Sequence, residues 1–330
     1  MVIDTSALVA MLNDEPEAQR FEIAVAADHV WLMSTASYPE MATVIETRFG
    51  EPGDVNPRSA ASLSSIRVTI SHVSIFARFS PAEPAMSALL DGVLDAHGGL
   101  QRWRAAETVH GRVRTGGLLL RTRVPGNRFA DYRITVHVQQ ARTVLDPFPR
   151  DGYRGVFESG QVRIESHDGA VISSRAHPRA AFFGRSGLRR NIRWDPLDSV
   201  YFAGYAMWNY LTTPYLLTRE GVAVEEGAPW QQEGETWRRL IVSFPPDIDT
   251  HSPRQTFYVD ASGLLRRHDY VPEVVGHWAR AAHYCADPVD VDGFVFPTCR
   301  WVHPIGPRNR SLPFPTLVSI LLTDIRVETD

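Results

Sequence analysis

The segment GVFESGQVRIESHDGAVIS, residues 155–173, sets two short turns between three runs of alternating apolar and polar residues. Alternation with period two buries one face of a strand. Ser159-Gly160 and Asp168-Gly169 are turn pairs, so the segment predicts strand, turn, strand, turn, strand. The pattern recurs along the chain. Ile134, Val136 and Val138 share a face in ITVHVQQ, and Leu240, Val242 and Phe244 share one in WRRLIVSFP. RQTFYVDASGLLRRHDYV reads as a hairpin turning at Ala261 to Gly263, and GFVFPTCRWVHPI and LVSILLTDIRVE extend the series. Many strands joined by short turns predict a large antiparallel sheet or barrel.

Helical signals are few. MSALLDGVLDAHGGLQRW begins at Ser87, carries Leu89, Leu90, Val93 and Leu94 on one face and ends at Gly98-Gly99. A second helical stretch lies between Pro196 and Leu217, where Pro196 and Pro214 limit its length. Residues 1–53 read instead as α/β: Val2-Ile3 end a strand, Thr5 or Ser6 caps a helix, His29 to Met33 form a second strand, and Glu40 to Phe49 a helix. Residues 54–84, rich in serine and proline, read as a linker. The predicted class is α+β, a curved antiparallel sheet (an open half-barrel) wrapped over helices in residues 85–330, preceded by the α/β segment.

Composition narrows the chemistry. The net charge of -4 gives no general attraction to nucleic acid or anionic membranes. All 34 basic residues are arginine, which excludes a lysine Schiff base or a P-loop. Cys285 and Cys299 are the only cysteines, too few for a disulfide framework or a structural zinc site. Asp4, Asp14 and Glu15 interrupt the first apolar stretch, so no secretory leader is expected there. No apolar run is long enough for a transmembrane helix. These features predict a cytoplasmic protein without a membrane span.

MVIDTSALVA followed by STASYPEMATVIETRFG resembles the start of PIN-domain ribonucleases, the VapC-type toxins of toxin–antitoxin pairs. Asp4 matches the family's Asp at the end of strand one, Glu40 its Glu on the helix after strand two, and Thr5-Ser6 the small hydroxyl residues beside the first Asp. The resemblance implies Asp4 and Glu40 as ligands for Mg²⁺ or Mn²⁺, which bind phosphate and activate water in phosphodiester hydrolysis. The family completes its metal shell with acidic residues from the second half of the domain. Here the chain passes from EPGD into the linker, and Asp91 and Asp95 belong to the helix beyond it. The segment therefore reads as truncated and inactive, with Mg²⁺, Mn²⁺ and an antitoxin partner needed only if it functions.

Residues 88–330 resemble uncharacterised bacterial proteins related to the lipoprotein-carrier, LolA-like fold. The resemblance rests on DAHGGLQRW (95–103), RWDPLDSVYFAGYAMWNYLTTPYLL (193–217), residues 237–270 and VDGFVFPTCRWV (291–302). It implies a curved sheet around an apolar cavity and a ligand such as an acyl chain. Trp194, Tyr201, Phe202, Tyr205, Met207, Trp208, Tyr210 and Tyr215 suit either a pocket wall or the plug that fills an open barrel. Leu240, Val242 and Phe244 are expected on the opposite wall.

His251, His268, His277, His283 and His303 concentrate near the C-terminus without metal-ligand spacing. His268 and His283 flank a strand–turn–strand, so His268, Asp269, Tyr270, His283 and Tyr284 are candidates for a polar cluster. Alternation puts Asp269 on the face opposite His268 and Tyr270. No GxSxG, Cys–His, GxGxxG or Walker signature is present. The leading reading is a non-enzymatic module that binds an apolar small molecule or lipid, needs no cofactor and does not bind nucleic acid. Its pocket would include Trp194, Tyr201, Phe202, Tyr205, Trp208, Tyr210, Tyr215, Leu240, Val242, Phe244, His268, Tyr270 and His283. The alternatives are a metal-dependent VapC-type ribonuclease and an enzyme using the His/Tyr cluster.

Overall fold

The computed structural model describes residues 2–3, 32–33, 87–124, 126 and 130–329. The chain divides into two units, Met1–Ala82 and Glu83–Asp330. In the first, strands β1 (Val2–Ile3) and β2 (Leu32–Met33) pair in parallel. This is the pairing a βαβ crossover produces. Asp4, Glu40 and the predicted linker lie outside the described residues.

The second unit is built on one 13-stranded antiparallel sheet. Strands β3 (Ala106–Gly116), β4 (Asp131–His137), β5 (Arg142–Asp146), β6 (Tyr153–Glu158), β7 (Gln161–Ser166) and β8 (Val171–Ala176) form one meander. Strands β9 (Ala223–Gln232), β10 (Glu235–Ser243), β11 (Arg254–Val259), β12 (Leu265–Tyr270), β13 (Ala281–Val291) and β14 (Phe294–Pro304) form the other. The last strand, β15 (Val318–Thr329), pairs with β14 on one side and β3 on the other, welding the meanders into one surface. The predicted turns at Ser159-Gly160, Asp168-Gly169 and Ala261 to Gly263 join β6 to β7, β7 to β8 and β11 to β12.

The sheet does not close. Its two edges, β8 and β9, are joined by residues 177–222, which include a long helix. Helix α1 (Ala88–Ala96) precedes the sheet, and its Ser87 cap accepts from the Leu90 N–H at 3.2 Å. Helix α2 (Pro196–Thr212) runs 17 residues between the two prolines seen in the sequence. Pro196 occupies its first turn, where a missing N–H costs nothing. Asp195 accepts from the Asp198 N–H at 2.8 Å and Asp198 accepts from the Asp195 N–H at 3.0 Å, a reciprocal cap.

Residues of α2 from Asp198 to Thr212 are buried, so the helix is wrapped by protein on all sides. It packs on β4 to β8. Close approach is set by glycine: a Cβ at Gly204 would overlap the Phe157 side chain, and one at Gly155 would meet Val200. Thr143 Oγ1 donates to the Gly204 carbonyl at 3.0 Å. Among the described residues, no helix is long and apolar enough to cross a membrane.

Candidate functional site

One set of buried polar side chains converges where α2 meets β12 and β13. His268 and His283 stand opposite each other in the β12–β13 register, with ring centroids 6.0 Å apart. Tyr270 lies two residues along β12, hence on the same face as His268. From α2, the Tyr210 hydroxyl reaches His251 Nε2 at 2.6 Å and the Tyr270 hydroxyl at 3.1 Å. The Tyr205 hydroxyl reaches His251 Nδ1 at 3.0 Å, and Tyr270 reaches His283 Nδ1 at 3.4 Å. His268 Nε2 bonds Gln255 Oε1 and stacks on Phe257 with centroids 4.1 Å apart. The result is one continuous chain, Tyr205–His251–Tyr210–Tyr270–His283.

Burial keeps this cluster uncharged. Desolvation, helped by the Arg179 charge, pulls His251 down to about 3. Burial likewise holds His268 and His283 well below the usual histidine value, with neighbouring charges acting in the same direction. Burial pushes the Tyr205 and Tyr210 hydroxyls well above the usual tyrosine value. No cluster of three or more acidic, histidine or cysteine groups able to hold a metal occurs among the described residues.

The expected pocket residues fall into several groups. Tyr205, Tyr210, His268, Tyr270 and His283 belong to the cluster just described. Trp194, just ahead of the α2 cap, and Phe202, on α2, lie elsewhere and pack on each other with centroids 4.8 Å apart. Tyr201 donates to Asp249 at 2.7 Å. Trp208 donates to the His137 carbonyl at 3.1 Å and carries the Arg219 guanidinium 5.0 Å from its ring centre. Tyr215 stacks on Trp103 with centroids 4.2 Å apart and donates to the His97 carbonyl. Leu240, Val242 and Phe244 are buried in the same core. These side chains pack on one another and on the sheet.

Two of the five members proposed for the polar cluster stand on the other face. Asp269 accepts from Arg267 at 2.6 and 2.9 Å and from Tyr258 at 2.7 Å. The Tyr284 ring lies 5.6 Å from the same guanidinium. The period-two rule separates Asp269 and Tyr284 from His268, Tyr270 and His283. His251 is the member that sequence pattern leaves out. It sits in the irregular connection between β10 and β11, where no periodicity gives its direction.

No known protein-family profile matches the chain. Its N-terminal segment is 93% identical over 58 residues to VapC34 of Mycobacterium tuberculosis, a match covering 18% of this chain and 71% of that protein. Through this segment the chain belongs to the VapC family. It is also 79% identical over 53 residues to the ribonuclease VapC30 of the same organism, covering 16% of this chain but only 40% of VapC30. The VapC likeness thus leaves most of the present chain unmatched. The remainder has LolA-like neighbours among solved structures. A DUF1329 family protein from Desulfovibrio piger aligns at 13% identity and a TM-score of 0.41, over 73% of this chain and 92% of that one. A LolA superfamily protein from Nitrosomonas europaea aligns at 10% identity and 0.40, over 72% and 93%. The M. tuberculosis lipoprotein LppX aligns at 12% and 0.23, over 76% and 100%. These likenesses are distant, and the reading of the site rests on its own residues.

Proposed function

We propose that residues 85–330 form a non-enzymatic module that binds an apolar, lipid-like molecule without a cofactor. The observation carrying this reading is the buried Tyr205–His251–Tyr210–Tyr270–His283 chain, set inside an otherwise apolar core. An apolar wall with a few convergent polar groups is the usual make-up of a small-molecule site. The polar chain would hold a headgroup, while Leu240, Val242 and the α2 aromatics would contact the tail. Because α2 side chains occupy the core, a ligand enters by displacing part of that helix from the sheet. Each buried methylene contributes about 0.8 kcal/mol before the cost of that displacement.

Titration with a fluorescent fatty-acid probe, followed by competition with unlabelled lipid, tests the reading. Saturable, competable binding is expected. A folded protein that shows neither would overturn it.

The VapC likeness supports a second reading, a metal-dependent ribonuclease acting through Asp4 and Glu40, with an antitoxin partner. We infer that this activity is negligible, because two carboxylates position phosphate and water poorly. RNA cleavage requiring Mg²⁺ or Mn²⁺ and lost in both Asp4→Asn and Glu40→Gln would establish the ribonuclease instead.

A further inference from the structure

Three arginines are buried among the described residues: Arg190, Arg267 and Arg300. A buried guanidinium without a counter-charge is strongly unfavourable. Two of the three are neutralised by the protein. Arg190 Nε donates to Asp198 at 2.6 Å, and Arg267 is chelated by both oxygens of Asp269. Arg300 differs. It is only 4% exposed, yet its hydrogen bonds go to the Cys285 sulfur at 3.2 Å and the Tyr210 carbonyl at 3.1 Å, both uncharged acceptors. No carboxylate of the described residues forms an ion pair with it. Its Nε–H has no hydrogen-bond partner among the described residues.

His283 Nε2 is also buried and without a hydrogen-bond partner among the described residues. Arg300 pairs with Cys285 across β13 and β14, and His283 pairs with Val302. Arg300 and His283 are therefore diagonal neighbours on one face, within reach of a shared small group. Tyr210 lies against both, with its ring edge-on to His283 at 4.5 Å and 5.2 Å from the Arg300 guanidinium.

Proton counting decides what His283 offers. His251 is neutral near pH 7 and has one ring proton. The Tyr205 hydroxyl has His251 as its one side-chain partner among the described residues. If every bond runs from Tyr205 toward His283, each hydroxyl proton finds an acceptor. His251 Nε2–H donates to Tyr210, Tyr210 to Tyr270, and Tyr270 to His283 Nδ1. The opposite direction strands the Tyr205 proton in the core. The favoured direction leaves His283 with its proton on Nε2. Two unfilled donors, Arg300 Nε–H and His283 Nε2–H, then share one face beside an uncompensated positive charge. Cys285, whose sulfur Arg300 touches, also contributes to the lining of a small pocket with His97, Leu265, Arg266, Ala286 and Pro297.

We propose that Arg300 and His283 form a buried carboxylate-binding site. Building on the apolar-ligand reading, this makes the module's ligand a carboxylic acid with an apolar tail. A carboxylate supplies both the charge Arg300 lacks and the acceptors that the two N–H groups need. His97 does not take part: its Nδ1 bonds the Val93 carbonyl at 2.8 Å, leaving Nε2 an acceptor, which suits water or a hydroxyl.

Calorimetric titration of the full chain with decanoate, 1-decanol and acetate tests this. Decanoate is expected to bind at least tenfold more tightly than 1-decanol, with the preference lost in Arg300→Gln. Equal binding of decanoate and 1-decanol would overturn the carboxylate site and leave the apolar reading standing. Acetate matching decanoate would support the anion site and overturn the apolar tail. No binding by any of the three would overturn both.

A measurement on the unaltered protein covers the case in which Arg300→Gln fails to fold. The ¹³C-carboxyl signal of labelled decanoate should titrate at lower pH when bound than when free. Titration at or above the free value would overturn the site.

Discussion

The Tyr210 hydroxyl lies 2.6 Å from His251 Nε2, joining helix α2 to a loop that strand periodicity does not describe. Tyr205, five residues earlier on the helix, holds Nδ1 of the same ring at 3.0 Å, and Tyr270 stacks on it with centroids 3.9 Å apart. His251 is thus clamped at both nitrogens by uncharged hydroxyls. Protonating it would place a cation in the core with no ion pair to a carboxylate among the described residues.

Stability should therefore fall as the solution is acidified below neutrality. Burial, reinforced by Arg179, holds His251 at about 3 in the folded protein, while the unfolded chain binds the proton near 6.5. Between those values the unfolded state holds more protons, so stability is retained above pH 6.5 and lost progressively below it. Each such histidine contributes about 1.4 kcal/mol per pH unit. His268 and His283 are shifted in the same direction. Urea unfolding midpoints at pH 7.5 and 5.5 should show a clear drop, and His251→Gln should reduce the slope. A flat profile would show that these rings gain charge without penalty.

Tyr210→Phe should destabilise the fold by about 1–3 kcal/mol, because it leaves His251 Nε2 and the Tyr270 hydroxyl short of a partner while the packing is kept. Tyr205→Phe should cost less, since it interrupts only the end of the chain. Thermal or urea midpoints for the two single variants give the order directly.

The sheet was legible in the sequence because its strands alternate cleanly. Ile134, Val136 and Val138 are all buried, as are Leu240 and Val242. The helix start at Ser87 and the Gly98-Gly99 stop also read correctly, since local chemistry specifies them. The return of β15 to pair with β3 could not be read, because register over such a separation depends on the whole surface. The site was only partly legible. Alternation separated Asp269 from His268 before the fold was known. It carried no information on His251 in its loop, or on the lack of a carboxylate at Arg300.

Gly204→Ala should destabilise the second unit by about 1–3 kcal/mol through overpacking. An added methyl meets the Phe157 side chain, which is itself fully buried. The usual gain from alanine in a helix is smaller than this strain. A shallower residue, Gly92, has open space at its Cβ, so Gly92→Ala should stabilise. Comparing the two midpoints separates helix propensity from packing.

Trp208→Ala should cost about 3–5 kcal/mol, the range for deleting a large buried aromatic. The ring is 1% exposed, and its removal also strips the His137 carbonyl of a donor and Arg219 of its ring contact. If the core admits an apolar ligand, the new space should change fatty-acid affinity as well. Unfolding curves and probe titration on the same sample distinguish a purely structural loss from a change in binding.

Residues 85–330 should fold without the VapC-like segment. The 13-stranded sheet and its buried helix lie wholly between Ala88 and Thr329. The core cluster runs from Leu89 to Leu322. Both helices are capped by residues of this same region, Ser87 and Asp195. A region with its own core and its own caps has what an independent domain needs. Deleting residues 1–80 should therefore leave the far-ultraviolet circular dichroism of the β region and shift the unfolding midpoint little. The result against this expectation is an insoluble product, or one with strand signal but no cooperative transition. It would mean that the N-terminal segment completes the packing of the sheet and that the chain folds as one cooperative unit.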